Sequence, residues 1–395
     1  MKRARGAVLP GKEAGLGLAR SAMSRFAPSD VRWHYEHGLF LSAVRAAGAY
    51  WEDDDLVRQA DFRIASLVRD DGSIVGYSKS EYNLDQINPG KNLFPLLAGT
   101  GDGRYRIAID LLADQLRSQP RTKAGGYWHK LIYPDQVWLD GLYMAQPFRA
   151  ALAALDTDAE VFEDIVMQLE TAAEKTRDPI TGLLRHAWDE SRTQLWADEE
   201  TGRSPNAWGR AMGWYAMALV DVLDFIPVGE VLFSKIAALL EPLARALERF
   251  QDEETGLWYQ VVDMGGREGN YLEASVSSML SYAFAKGVRL GALPVEPWRA
   301  AADRACEGLV ERFLRVDDEG FHLGGTCAVA GLGGSPYRDG SYDYYVGEPI
   351  RLDDFKGIGP FILAQIEYAR SREDPASIRR SVLSSSPGLE RESSP

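Results

Sequence analysis

Residues 231–260, VLFSKIAALLEPLARALERFQDEETGLWYQ, decide the fold. The segment begins as an amphipathic helix with one charged face and ends in a glycine turn, DEETGLWYQ. Apolar residues at helical spacing mark a helix that packs on one side only. The same unit returns twice. FEDIVMQLETAAEKT leads into DPITGLLRH, and WRAAADRACEGLVERFL leads into DDEGFHLGG. The turn glycines Gly182, Gly256 and Gly320 stand 74 and 64 residues apart, which suits a hairpin of two helices with a variable loop.

Beyond the loops lie helices of a second kind. NAWGRAMGWYAMALVDVLDFI and NYLEASVSSMLSYAFAKGVRL are rich in small residues and apolar nearly all round, so they are predicted to be buried. Alternating outer helices with one wet face and inner helices with none make an all-α barrel. Inner helices alternating with outer ones run parallel, and their N-termini gather at one mouth. Ser204-Pro205 and Asn88-Pro89 each offer an N-cap followed by an N1 proline. Converging N-termini carry about half a positive charge each, a natural anion site.

The 395 residues are 45% hydrophobic and carry a net charge of −14. An acidic chain lacks the basic face a nucleic-acid binder needs, and an anionic ligand must be met by local positive groups. The two cysteines, Cys306 and Cys327, have no metal-like spacing and make no disulfide framework; a cytoplasmic setting is the modest expectation. The basic N-terminus is a poor signal peptide, and no apolar run reaches the ~18 residues of a membrane span. Residues 1–29 read as an N-terminal arm, 30–370 as one catalytic domain, and 371–395, rich in Ser, Pro and charge, as a disordered tail. No phosphate loop, nucleotide fingerprint or zinc motif is present, so no cofactor and no metal are expected. Nothing in the chain sets an oligomeric state.

Within PDQVWLDGLYMAQPF (134–148), Asp140 sits among large apolar neighbours. It reads either as a carboxylate stabilised by a helix N-terminus or as an acid whose apolar setting favours the protonated form. Asp135 is the expected cap of that helix, Gly141 permits close approach, and Pro147 implies a kink or early stop. Asp85 in SEYNLDQINPGK would face the same mouth, or bond its own loop. Two carboxylates on one cavity suit attack on a sugar bond. Arg210 and Trp214 share a helix face in SPNAWGRAMGW. A buried arginine needs a partner, either a ligand carboxylate or an internal one such as Asp189 or Glu273. Lys130 is a second cation, bound or merely solvated. Trp128, Trp188, Trp196, Trp208, Trp214 and Trp258 fall in or beside these loops, and aromatic faces line sugar sites well.

Six motifs in order, WHYEHGLFL, YNLDQINPGK, VWLDGLYMAQPF, NAWGRAMGWYAMALVDVL, LEASVSSMLSYAFAKGV and the stretch from GTCAVAGLGG to DDFKGIGPF, closely resemble glycoside hydrolase family 105. Those are unsaturated rhamnogalacturonyl hydrolases, related to the family 88 unsaturated glucuronyl hydrolases. The resemblance runs from Trp33 to Phe361. It implies an (α/α)6 barrel and an oligosaccharide substrate ending in a 4,5-unsaturated uronic acid. It also implies hydration of the C4=C5 double bond rather than displacement at the anomeric carbon. By motif, Asp140 is the general acid and Asp85 the assisting carboxylate. Tyr35, Lys130, His186, Trp208, Arg210 and Trp214 are the expected substrate-binding residues. An ordinary inverting glycosidase on the same barrel and a non-catalytic sugar-binding barrel stand as alternatives.

Overall fold

The computed structural model describes residues 8–373; the tail expected over 371–395 lies outside them beyond Glu373. Six inner helical segments form a closed ring. They are α2 (Tyr35–Trp51), α4 (Leu93–Thr100) with the 3-10 turn before it (Asn88–Asn92), α6 (Leu139–Asp156), α8 (Gly209–Val222), α10 (Ala274–Leu290) and α13 (Phe355–Arg370). Each packs on the next, and α13 returns to α2. The outer layer is α3 (Asp54–Ala65) on α2, α5 (Gly103–Ser118) on α4, α7 (Ala159–Thr176) on α6, α9 (Val231–Glu248) on α8 and α11 (Trp298–Phe313) on α10. The sixth outer helix is α1 (Lys12–Arg25), which packs on α13 and closes the (α/α)6 barrel.

The helix α1 corrects the reading of residues 1–29 as an arm. Ala14, Leu16, Leu18, Ala19, Ala22 and Met23 are buried, and a Cβ on Gly15 would lie 2.5 Å from the Trp51 ring and 2.8 Å from Gln365 Cβ. Its buried face is built of small residues, which lets it approach α13 closely but gives a weak apolar pattern.

The inner helices are buried as their composition demands. Every residue of α10 from Ala274 to Val288 is buried. The repeated turns follow α7, α9 and α11, with Gly182, Gly256 and Gly320 at φ of 77°, 71° and 109°, a region glycine enters without penalty. Asp178 and Asp252 hold the first two turns identically, each accepting the N–H three residues on, Thr181 or Thr255, at 2.8 Å.

The helix starts differ from expectation. The α6 helix begins at Leu139, and Asp135 lies upstream in a turn at φ 59°, so it caps nothing. Ser204 Oγ accepts from Ala187 N at 3.1 Å, four residues ahead of Trp208, where α8 is capped without a side chain. Asn88 opens a 3-10 turn and makes no cap bond. The α6 helix runs through Pro147 to Asp156. Only Glu273 and Asp354, before α10 and α13, cap inner helices with a side chain that accepts a backbone N–H. No side chain caps the first turns of α2, α6 and α8, and Leu139 N and Gly209 N donate instead to His186 O and Gln260 O.

Three two-stranded ribbons decorate the loops: β1 (Gln136–Trp138) with β2 (Ala187–Asp189), β3 (Leu314–Asp317) with β4 (Gly320–Leu323), and β5 (Thr326–Cys327) with β6 (Ile350–Arg351). A short helix, α12 (Tyr342–Gly347), precedes β6. Among the described residues no helix is long and apolar enough to cross a membrane.

Candidate active site

The two carboxylates, Asp85 on a 3-10 turn and Asp140 on the first turn of α6, are tied to two histidines. The β1–β2 ribbon pairs Trp138 with Ala187, and Leu139 N donates to His186 O at 3.1 Å. This places His186 beside the first turn of α6, which carries Asp140. Leu84 N donates to His129 O at 3.1 Å, and His129 N donates to Gln136 O at 3.0 Å, so the Asp85 turn hangs from the same ribbon. Gly141 makes the approach possible: a Cβ there would lie 3.0 Å from His129 Nδ1 and 3.1 Å from Leu84 Cδ1.

The carboxylates have different partners. Asp85 Oδ2 pairs with Lys130 Nζ at 2.5 Å, and Oδ1 lies 3.6 Å from His129 Nε2. Burial alone would raise the Asp85 carboxyl, but Lys130 holds it below the ordinary carboxylate range. Burial pushes His129 down to about 4, against the pull of Asp85, so the ring is neutral and Lys130 is the counter-charge. Asp140 has no cation at contact. Its Oδ2 lies 3.3 Å from His186 Nε2, and neither atom has a hydrogen-bond partner among the described residues. His186 is held from behind, its Nδ1 2.8 Å from Tyr345 Oη.

The other expected residues divide by depth. Lys130 keeps 23% of its side chain exposed, and Asp85 and Asp140 keep 14% each. Tyr35 is half-buried beside them. Burial raises its hydroxyl well above the ordinary value, and Glu36, Asp85 and Asp140 add to that while Arg210 opposes it. His186, Trp208, Arg210 and Trp214 are 0–1% exposed and form the floor. Arg210 has taken the internal partners: Cys327 O at 2.5 Å, Ser275 Oγ at 3.4 Å and Glu273 Oε1 at 3.8 Å. Asp189, the other candidate, instead accepts from Ser191, Thr193 and Gln194. Trp214 lies between Tyr143 and Tyr35, 5.0 and 6.3 Å between ring centroids. Trp208 packs on His186 at 4.5 Å. Trp258 does not join them; it is buried with its Nε1 on Leu247 O and its ring on Phe284.

The sequence profile described as Glycosyl Hydrolase Family 88 matches residues 17–372. The chain belongs to this family. The matched span begins inside α1, in keeping with that helix being part of the barrel. A solved glycoside hydrolase of family 105 from Clostridium acetobutylicum (C. acetobutylicum ATCC 824) is 42% identical, covers 90% of this chain and 99% of its own, and superposes with a TM-score of 0.87. Protein Atu3128 of Agrobacterium fabrum is 42% identical over 57% of this chain and 97% of its own length. The unsaturated rhamnogalacturonyl hydrolase YesR of Bacillus subtilis is 30% identical over 66% of this chain and 72% of its own length.

In this family 88 hydrolase, the residues that sequence reasoning missed are His129 and Tyr345. His129 precedes Lys130 and could have been weighed with it. Its ring is stacked on Trp138 at 4.9 Å between centroids, a contact no local pattern announces. Tyr345 is fully buried on α12 and stacks on Trp208 at 5.8 Å, yet it sits in a segment, SYDYYVGEP, with no helical period.

Proposed function

We propose that this hydrolase removes a 4,5-unsaturated uronic acid from the non-reducing end of lyase-generated oligosaccharides, with the unsaturated rhamnogalacturonan disaccharide as substrate. One observation carries the reading: two carboxylates reach the same mouth, and only one is neutralised by a cation at contact. Asp85, kept ionised by Lys130, is unsuited to donate a proton near neutral pH. The donor role falls to Asp140, which lies beside His186 and has no cation at contact. Asp140 protonates C4 of the enol ether, and positive charge develops at C5 and the ring oxygen. Ionised Asp85 stabilises that charge and takes the proton of the water that adds at C5. The hemiketal opens by breaking the C5–ring-oxygen bond, leaving a ketone at C5. The hemiacetal thereby formed at C1 expels the aglycone as an alcohol.

The partly exposed Lys130 and the first turns of α2, α6 and α8, which no side chain caps, are assigned to the uronate carboxylate. Arg210, spent on Glu273 and Cys327, acts through its field from beneath. The likeness to YesR supports rhamnose as the next sugar. The aglycone would rest near the cluster of Trp138, Ala187, Trp196 and Leu332, where Trp196 N donates to Tyr337 Oη at 2.9 Å. The test is the ultraviolet absorbance of the conjugated enol carboxylate. It should disappear as rhamnose is released from the unsaturated disaccharide, while a saturated chromogenic glycoside stays intact. Turnover of the saturated glycoside with the absorbance untouched would favour an ordinary inverting glycosidase.

A further inference from the structure

Away from the mouth, the inner helices line an open cavity of about 650 Å³. One wall is a closed polar cluster. Lys286 Nζ donates to Asp221 Oδ1 at 2.7 Å, Asp224 Oδ2 at 2.6 Å and Tyr282 Oη at 2.9 Å. Tyr282 Oη in turn donates to Asp221 Oδ1 at 2.6 Å. All three protons of Lys286 are used, and both carboxylates are engaged.

Lys91, on the facing 3-10 turn, is different. Its Nζ sits 3.8 Å from the centre of the Tyr143 ring and has no hydrogen bond or ion pair among the described residues. The Lys91 side chain is half-buried, and its ammonium, held by a cation–π contact of about 0.5–2 kcal/mol, stays open to the cavity. Burial pushes the Lys91 ammonium down to about 8, Asp221 opposing and Lys286 adding to the fall. Apolar side chains, Phe94, Leu97, Leu155 and Phe225 among them, line the rest of the cavity.

We propose that this cavity is a second ligand site, which takes a small monocarboxylate with an apolar body, the carboxylate on Lys91 Nζ and the body against Phe94, Leu97, Leu155 and Phe225. A single carboxylate gives Lys91 the acceptor at contact that it lacks among the described residues. A dianion such as a phosphate ester would take the cavity from charge balance, Lys91 and Lys286 against Asp221 and Asp224, to an excess of two negative charges, twice that of a monocarboxylate. A neutral ligand would leave Lys91 as it stands. The site is one aromatic layer from the mouth, because Tyr143, which lines the cavity, stacks on Trp214, and Trp214 meets Tyr35.

The test is calorimetric titration of the full chain with benzoate, with benzyl alcohol and phenyl phosphate as controls. Benzoate should bind at one site and the controls much more weakly. Lys91→Met should weaken benzoate at least about tenfold, the worth of a charged hydrogen bond. Ala151→Trp, which fills the apolar side of the cavity and leaves Lys91 intact, should abolish binding, and it decides the matter if Lys91→Met does not fold. Affinity should fall as pH rises through about 8 and Lys91 loses its proton. Of the groups facing it, burial holds Tyr143 and Tyr282 protonated, and Asp221 and Asp224 remain tied to Lys286. No saturable benzoate binding, or equal binding to Lys91→Met or Ala151→Trp, would overturn the proposal.

Discussion

Asp140 and Asp85 occupy similar depths yet differ in what they touch, and that difference assigns their roles. The charge state of Asp85 rests on Lys130. In Lys130→Met, burial acts on Asp85 unopposed by its nearest cation, so its carboxyl should titrate higher. The acid limb of the kcat/KM profile should therefore move to higher pH, which a pH–rate series would show. Tyr345 acts through His186. Removing its hydroxyl leaves buried Nδ1 without a partner, a loss of about 1–3 kcal/mol. Tyr345→Phe should lower kcat roughly tenfold or more, with little change in KM and a displaced pH profile; an unchanged profile would leave Tyr345 a packing residue. At this scale Asp140 was legible because a charge within an apolar run stands out, and Asp85 because of the motif around it. Their partners were not, because Lys130, His129 and Tyr345 reach them through loops whose pairing has no period. The internal pairing of Arg210 was legible only as an alternative.

Between elements, the barrel is pinned by partly buried ion pairs as well as by apolar faces. Asp164 on α7 accepts from Arg121 at 2.7 Å and from Arg149 on α6 at 2.7 Å. Burial would raise its carboxyl, but Arg121, Arg149 and Gln168 bring it down to about 2. A depressed native value means that the stabilisation is present above the unfolded value of about 3.9 and is lost as pH falls toward 2. The contribution is about 2 kcal/mol. Asp164→Asn should lose it at neutral pH and unfold with a flatter pH dependence between about 4 and 2 in denaturant titrations. The helix types were readable from composition, but the helix starts were not. Ser204 and Asn88 look like caps in isolation, and the β1–β2 ribbon and the 3-10 turn claim that backbone instead.

For the whole molecule, ring closure joins the two ends of the described chain. The α1 helix supplies the outer partner of α13, and their contact spans Gly11 N to Gln365 Oε1 at 2.6 Å. A partner more than 300 residues away leaves no trace in a local window, which is why an arm was expected. Deleting residues 1–25 should expose the α13 face and cost on the order of 5 kcal/mol from the buried Leu16, Leu18 and Met23. A sharp fall in Tm or in soluble yield would show it, and an unchanged Tm would return α1 to the status of an appendage. The barrel itself gathers the mouth, where one aspartate is neutralised by a lysine and the other faces a histidine. That division of labour is tested most directly by Asp140→Asn on the unsaturated disaccharide. The absorbance of the double bond should persist while calorimetry shows the substrate still bound and the protein still folded. Wild-type loss of that absorbance in Asp140→Asn would contradict the account.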